Sequence, residues 1–102
     1  MNKINIYFAH PVADYNKDIE SCGIDTIISM YPEGEIINPK DIIAPKSTDI
    51  NDALDILKEH FFPVIKGCDV FCYSKTKKGK LTYGVKKELE YAEILGLEIK
   101  EI

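Results

Sequence analysis

Thr82-Tyr83-Gly84-Val85-Lys86-Lys87-Glu88-Leu89-Glu90-Tyr91-Ala92 is the stretch on which the fold turns. It reads as a lysine-rich loop that bends sharply at Gly84 and opens a helix from about Gly84 to Leu95. Gly96 then supplies the usual C-terminal stop. At roughly 100° per residue, Val85, Leu89, Ala92 and Leu95 form an inward stripe that includes Glu88, whereas Lys86, Lys87 and Glu90 lie away from it. An acid on the packing side of a helix needs a reason, because an unpaired buried charge is costly. Glu88 stands in the first turn, where the positive end of the helix dipole stabilises a carboxylate. The plainer alternative is a first-turn glutamate whose side chain bends out to water.

Working outward, Asp69–Tyr73 (DVFCY) before this stretch and Leu97–Ile102 (LEIKEI) after it both read as strands. Near the N-terminus, Lys3–Ala9 (KINIYFA) is a strand of high β-propensity, halted by His10-Pro11. Asp14 to about Met30 has an imperfect helical stripe, weakened by Gly23, and Tyr31-Pro32-Glu33-Gly34 is a turn. Glu35–Asn38 (EIIN) makes a short strand ended by Pro39, and residues 39–49 form a long loop with one helical turn at most. Asp49 or Asn51 caps the following helix, whose apolar stripe is Ala53, Leu54, Leu57 and Phe61. Pro63 bends that helix or starts a second short one running to Gly67.

The order β-α-β-α-β-α-β over residues 1–102 predicts a single α/β domain. It is a small flavodoxin-like (Rossmann-like) three-layer fold with a parallel sheet of about four strands. Ligands of such sheets bind at the carboxyl ends of the strands. Here that edge collects Ala9, His10 and Pro11, then Asn38 and the 39–49 loop, then the lysine loop leading to Thr82, Tyr83, Gly84 and Val85.

Composition narrows the ligand. All 13 basic residues are lysine, and six of them fall within residues 75–87, a segment without an acid. That segment carries +6 against −10 for the remainder, for a net charge of −4. An acidic chain with one basic loop is a poor duplex binder, since those present a broad basic face. It fits a small phosphorylated ligand better, with Lys77, Lys78 and Lys80 as weak phosphate-binding candidates; a solvated surface loop is the alternative. Three cysteines without a CxxC spacing and two separated histidines (His10, His60) give no metal site, and no cofactor is expected. No apolar run has membrane-spanning length and no signal-peptide pattern opens the chain, so the expected location is cytoplasmic.

The segment Gly84–Ala92 resembles the G-x-x-x-E-L/I-G-x-A signature of the nucleoside 2-deoxyribosyltransferase family, which includes the 2′-deoxynucleoside 5′-phosphate N-hydrolases. Ile6-Tyr7-Phe8-Ala9 is similar to that family's first strand, and Asp69-Val70 to the pair opening the strand before its site. The resemblance implies that Glu88 attacks the anomeric carbon of a deoxyribosyl group, with Tyr7 orienting it. It also implies that Thr82 and Gly84, before the catalytic helix, hold the 5′-phosphate. Two positions depart from the pattern. The family glycine after E-L/I is Glu90, and the aspartate expected eight residues before Asp69 is Phe61, beside His60, which could take over proton transfer.

Two functions follow as expectations. One is hydrolysis or deoxyribosyl transfer at the N-glycosidic bond of a nucleoside or nucleotide, with Glu88 as nucleophile. The other is a non-catalytic nucleotide-binding module, a sensor or sink for a nucleotide-derived signal, which Phe61 favours. A ligand-free interaction domain is a third. The expected partner is a small nucleoside or nucleotide, with no nucleic acid polymer and no membrane. The Phe61-Phe62 pair, which needs cover, predicts a homodimer or larger assembly.

Overall fold

The computed structural model describes residues 3–45 and 49–102, with the side chain of Ile50 left aside. Strands β1 (Asn5–Ala9), β2 (Glu35–Ile37), β3 (Val70–Tyr73) and β4 (Glu98–Glu101) form one sheet in the order β2-β1-β3-β4. All three pairings are parallel: Tyr7 lies opposite Ile37 on one side and Phe71 on the other, and Phe71 opposite Ile99. This is the predicted flavodoxin-like order. Its crossover elements are α1 (Asp18–Met30), a segmented helix, and α4 (Tyr83–Leu95). The segmented helix comprises α2 (Ile50–Ile56), a π turn (Leu57–Phe61) and α3 (Phe62–Lys66).

Alternation along β1 assigns the layers. Tyr7 and Ala9 face a core with Ile65, Phe71, Val85 and Ala92, so α3 and α4 cover that side. Ile6 and Phe8 face the other core with Ile27, Val70 and Cys72, beneath α1. A strand buried on both faces reads as a nearly continuous apolar run, as Asp69–Tyr73 (DVFCY) does.

Glycine 23, which weakens the middle of α1 in isolation, is the contact point that lets this helix lie on the sheet. A Cβ there would stand 2.6 Å from Cζ of Phe8. The helix begins at Asp18, later than expected, because Asn16 takes a left-handed φ of 63° after a 3-10 turn at Val12–Asp14. Proline 63 has no N–H and its ring would collide with the carbonyl of Glu59 in a regular helix. The chain widens into the π turn just before it, where the Phe62 amide bonds back to the Leu57 carbonyl.

One expectation is corrected. Gly84 does not make the sharp turn: it lies inside the first turn of α4, and a Cβ there would meet nothing within 4 Å. The turn is at Gly79, whose φ is 76°, within a tight loop closed by the Thr76 amide on the Lys80 carbonyl and the Gly79 amide on the Thr76 carbonyl. Of the aromatic pair, Phe62 stacks on Tyr91 with ring centroids 4.3 Å apart and Phe61 is half-buried. Residues 39–45 contain the single predicted helical turn, a 3-10 turn at Pro39–Asp41; the part of the predicted loop at 46–48 lies outside the described residues. Among the described residues no helix is long and apolar enough to cross a membrane.

Candidate active site

The carboxyl ends of β1 and β3 meet at the centre of the sheet, where the Ser74 amide bonds to the Ala9 carbonyl at 3.0 Å. This is the point at which the chain's crossovers diverge, leftward to β2 and rightward to β4. Above it opens a cleft of about 430 Å³, within the usual range for small-molecule sites. The N-terminus of α4 forms one wall through Thr82, Tyr83, Gly84 and Val85, and the floor carries Glu88. His10, Pro11, Val12, Ala13 and Tyr15 rise from the end of β1, while Leu57 and Phe61 come from the π turn.

Helix α4 places Glu88 because its register buries Val85, Glu88 and Ala92 together, as the inward stripe requires. Thr82 starts that register: its hydroxyl accepts from the Val85 amide at 3.3 Å, a side-chain N-cap. The first amides of the helix, at Tyr83 and Gly84, have no intrahelical acceptors and border the cleft, as an anion site needs. The glutamate does not bend out to water. It is 5% exposed and accepts a short hydrogen bond from the Tyr7 hydroxyl, 81 residues away in sequence. The Tyr7 ring is fixed by near-parallel stacking on Phe71, with centroids 5.7 Å apart.

Burial raises the Glu88 carboxyl to about 7, even though the Tyr7 hydrogen bond works in the opposite direction. Burial, with the neighbouring carboxylate second, pushes the Tyr7 phenol far above its ordinary value. The pair therefore holds its exchangeable proton on Tyr7 when Glu88 is ionised, and Glu88 titrates where a carboxyl can switch roles near neutral pH.

A second buried network stands behind the wall. The His10 ring sets Nδ1 at 2.8 Å from the Phe8 carbonyl and Nε2 at 2.7 Å from Glu20 of α1. Both ring nitrogens thus face acceptors, an arrangement an imidazolium satisfies. Glu20 also accepts from Lys40 Nζ at 3.1 Å and from the Asn16 amide at 3.2 Å. Burial opposes the charge on Glu20, but the hydrogen bonds from His10, Lys40, Asn16 and Asn38 prevail and hold the carboxyl at about 2. Tyr15 packs against the His10 ring, centroids 5.0 Å apart. Burial, then Glu88 and Glu20, push its phenol up to about 12.

Of the residues singled out in the sequence, the structure brings Glu88, Tyr7, His10, Thr82, Tyr83, Gly84 and Val85 together at the cleft. Ala9 is fully buried in the strand below it. Asn38 lies outside the lining: it caps the Pro39–Asp41 turn through the Lys40 amide and joins the Glu20 network. Lys77 borders an adjoining groove of about 470 Å³, together with Lys17, Asp14 and Asp18. Lys78 and Lys80 are exposed on the Gly79 turn and line neither opening, and Lys75 is paired with Glu101 at 3.3 Å. His60 is outside the cleft, whereas Phe61 lines it. Among the described residues no group of metal-binding side chains is found.

Tyr15, Glu20 and Lys40 were missed. For Glu20 a signal existed: it lies on the same helical face as Gly23 and Ile27, the buried residues of α1, so the wheel argument that singled out Glu88 applies to it equally.

Fold and site together define a small parallel α/β domain of flavodoxin-like order with a buried tyrosine–glutamate pair at the sheet's carboxyl edge. Among solved structures the chain is similar to a 2-desoxiribosyltransferase from Leishmania mexicana, with a TM-score of 0.63 and 21% identity. The match covers 97% of this chain and 63% of that one, so the chain spans less than two thirds of its length. At this identity the likeness establishes the fold. No protein-family model matches the chain, and no curated protein matches it in sequence.

Proposed function

We propose that the cleft cleaves the N-glycosidic bond of a nucleoside or nucleotide, with Glu88 as nucleophile and Tyr7 as the group that orients it. The observation that carries this reading is the Tyr7–Glu88 hydrogen bond at the floor of a cleft whose wall is a helix N-terminus. A buried carboxylate beside an open cleft is disposed to attack an electrophilic anomeric carbon, and the developing positive charge on the sugar favours its ionised form. The fold shared with a deoxyribosyl-transferring enzyme supports the same chemistry. Attack forms a glycosyl–Glu88 ester and releases the base; water, or a second base, then takes the sugar.

The test is base release. Purified protein incubated with nucleosides and nucleotides is expected to liberate free base, detected by mass spectrometry, and Glu88→Ala is expected to abolish it. An intact nucleotide bound by the native protein without product would instead support the binding module, the reading that Phe61 in the cleft wall favours.

Phosphate recognition belongs to the same proposal, carried by the Tyr83 and Gly84 amides and by Lys77. Lys77→Ala is expected to weaken a nucleoside 5′-phosphate by about tenfold, of the order of one charge-assisted contact. It should leave the corresponding nucleoside unchanged, with Lys78→Ala as the exposed control. Equal weakening of both ligands would remove Lys77 from phosphate binding.

A further inference from the structure

Cleaving an N-glycosidic bond poses two problems, attack at the sugar and departure of the base. Glu88 addresses the first. A neutral purine or pyrimidine leaves as an anion unless a general acid protonates it, and such an acid typically contributes about 10²–10⁴ in rate.

Among the described residues the cleft lining offers no side chain suited to that task. Among the described residues Glu88 is the one carboxyl group in its lining. His10 has one ring nitrogen on the Phe8 carbonyl and the other on Glu20, so neither is free to serve a ligand. Tyr15 holds its proton up to about 12, far from the working range of an acid catalyst. Among the described residues every other lining side chain is a hydroxyl or hydrocarbon. At the position where the resemblance leads one to expect an aspartate, Phe61 presents an aromatic ring.

What the cleft does offer is aromatic and apolar lining beside one carboxyl group. Tyr15, Phe61 and Tyr83 supply aromatic surface, and Leu57, Pro11 and Pro39 supply apolar walls. Aromatic faces attract cations, and a cation beside Glu88 stabilises the carboxylate. The adjoining groove shares Pro11, Ala13 and Thr76 with the cleft and adds Lys17 and Lys77 beside Asp14 and Asp18, room for the rest of a nucleotide alongside the ring.

We propose that the substrate is a nucleotide whose base is already cationic, an N-glycosyl pyridinium, so that the leaving group needs no proton. This rests on the reading of Glu88 as the nucleophile. A Glu88 oxygen bonds to the anomeric carbon as the bond from that carbon to the pyridinium nitrogen breaks. The electron pair goes to the nitrogen, which becomes a neutral pyridine. Water then attacks the anomeric carbon, regenerating the Glu88 carboxylate and the sugar hemiacetal. One proton is released to solvent in each turnover.

The experiment compares nicotinamide mononucleotide and nicotinamide adenine dinucleotide with the four common deoxynucleoside and ribonucleoside monophosphates. The protein is used at pH 8, with base release followed by chromatography and proton release by indicator dye. Nicotinamide is expected to be released with a kcat/KM at least about 100-fold above any ordinary base, the lower value of an absent general acid. One proton should appear per turnover, and Glu88→Ala should lose both signals. Release of ordinary bases at a rate matching nicotinamide overturns the substrate class and leaves the nucleophile in place. No release from any probe overturns the nucleophile, and the substrate class with it.

Phe61→Asp tests the cause. By placing a carboxyl group in the wall it is expected to narrow the preference at least tenfold, whereas Phe61→Asn, of equal size and without the acid, is expected not to. Both variants are checked for folding by circular dichroism. An unchanged preference in folded Phe61→Asp overturns the leaving-group argument.

Discussion

Glu88→Gln is expected to destroy activity and stabilise the protein in the same step. Loss of a nucleophile costs on the order of 10⁴-fold or more in kcat, because the amide cannot form the glycosyl ester. The stability change follows from linkage. In the folded protein burial raises the Glu88 carboxyl from 4.5 to about 7. Folding therefore favours the protonated form, and this contribution is fully present below pH 4.5 and declines as pH rises towards 7. Above that the loss is constant, about 3 kcal/mol from a shift of this size. Glutamine carries no charge to desolvate and its side-chain oxygen can still accept from Tyr7. Denaturant melts at pH 8 should show the variant more stable by about 3 kcal/mol, an upward shift on the order of 10 °C in Tm. At pH 4.5 the two proteins should melt together. A variant less stable than wild type at pH 8 would mean that the ionised carboxylate is well solvated, contrary to its burial.

Glu20→Ala is expected to produce the largest loss of stability. Glu20 is the acceptor for His10 and Lys40 in a site where it is 4% exposed. Removing one member of a buried charged network leaves the others uncompensated, at a cost of about 3–5 kcal/mol. That is a large share of the roughly 5–15 kcal/mol that a domain has in total. The pH dependence has the opposite sign to that of Glu88. The Glu20 carboxyl is held down at about 2, so its contribution is present above pH 4.5 and lost as pH falls towards 2. Wild type should lose about 3 kcal/mol from this group across that interval, and Glu20→Ala should not. The variant should also raise KM, since Tyr15 of the cleft wall packs on the His10 ring that Glu20 holds. An unchanged melt for Glu20→Ala would show that the network contributes nothing to folding. The gentler Glu20→Gln keeps the shape of the side chain and should fall between the two.

The two buried carboxylates thus pull in opposite directions. As pH falls from 7 to 4.5 the folded state gains from Glu88, and from 4.5 to 2 it loses through Glu20. Taken together, they place the greatest stability near the middle of this range, and the greatest nucleophilicity above it. Above pH 7 the site holds Glu88 ionised at the expense of stability.

Periodicity determined much of this protein. The alternation of β1, the short apolar run of β3 and the inward stripe of α4 each depend on local geometry, and each appears where the residues put it. The same wheel turned Glu88 inward, and the order of the elements brought it to the ligand edge of the sheet. Caps were equally local, as Asp49, Thr82 and Gly96 show. Three-dimensional packing decided what the residues meet. Gly84 and Gly79 are alike in sequence, but the chain closes its turn at Gly79 because Thr76 and Lys80 bond across it. Six clustered lysines suggest one basic surface, yet Lys75 pairs with Glu101 on β4 and Lys77 alone of the three phosphate candidates borders an opening. Tyr7 is one of several tyrosines until β1 and α4 bring its hydroxyl to a carboxylate 81 residues away. Glu20, His10 and Lys40 come from a helix, a strand end and a turn, with no spacing that links them. Helices and strands follow repeats along the chain, whereas the charge on a buried group depends on solvent exclusion and on partners. Those are fixed when the layers close.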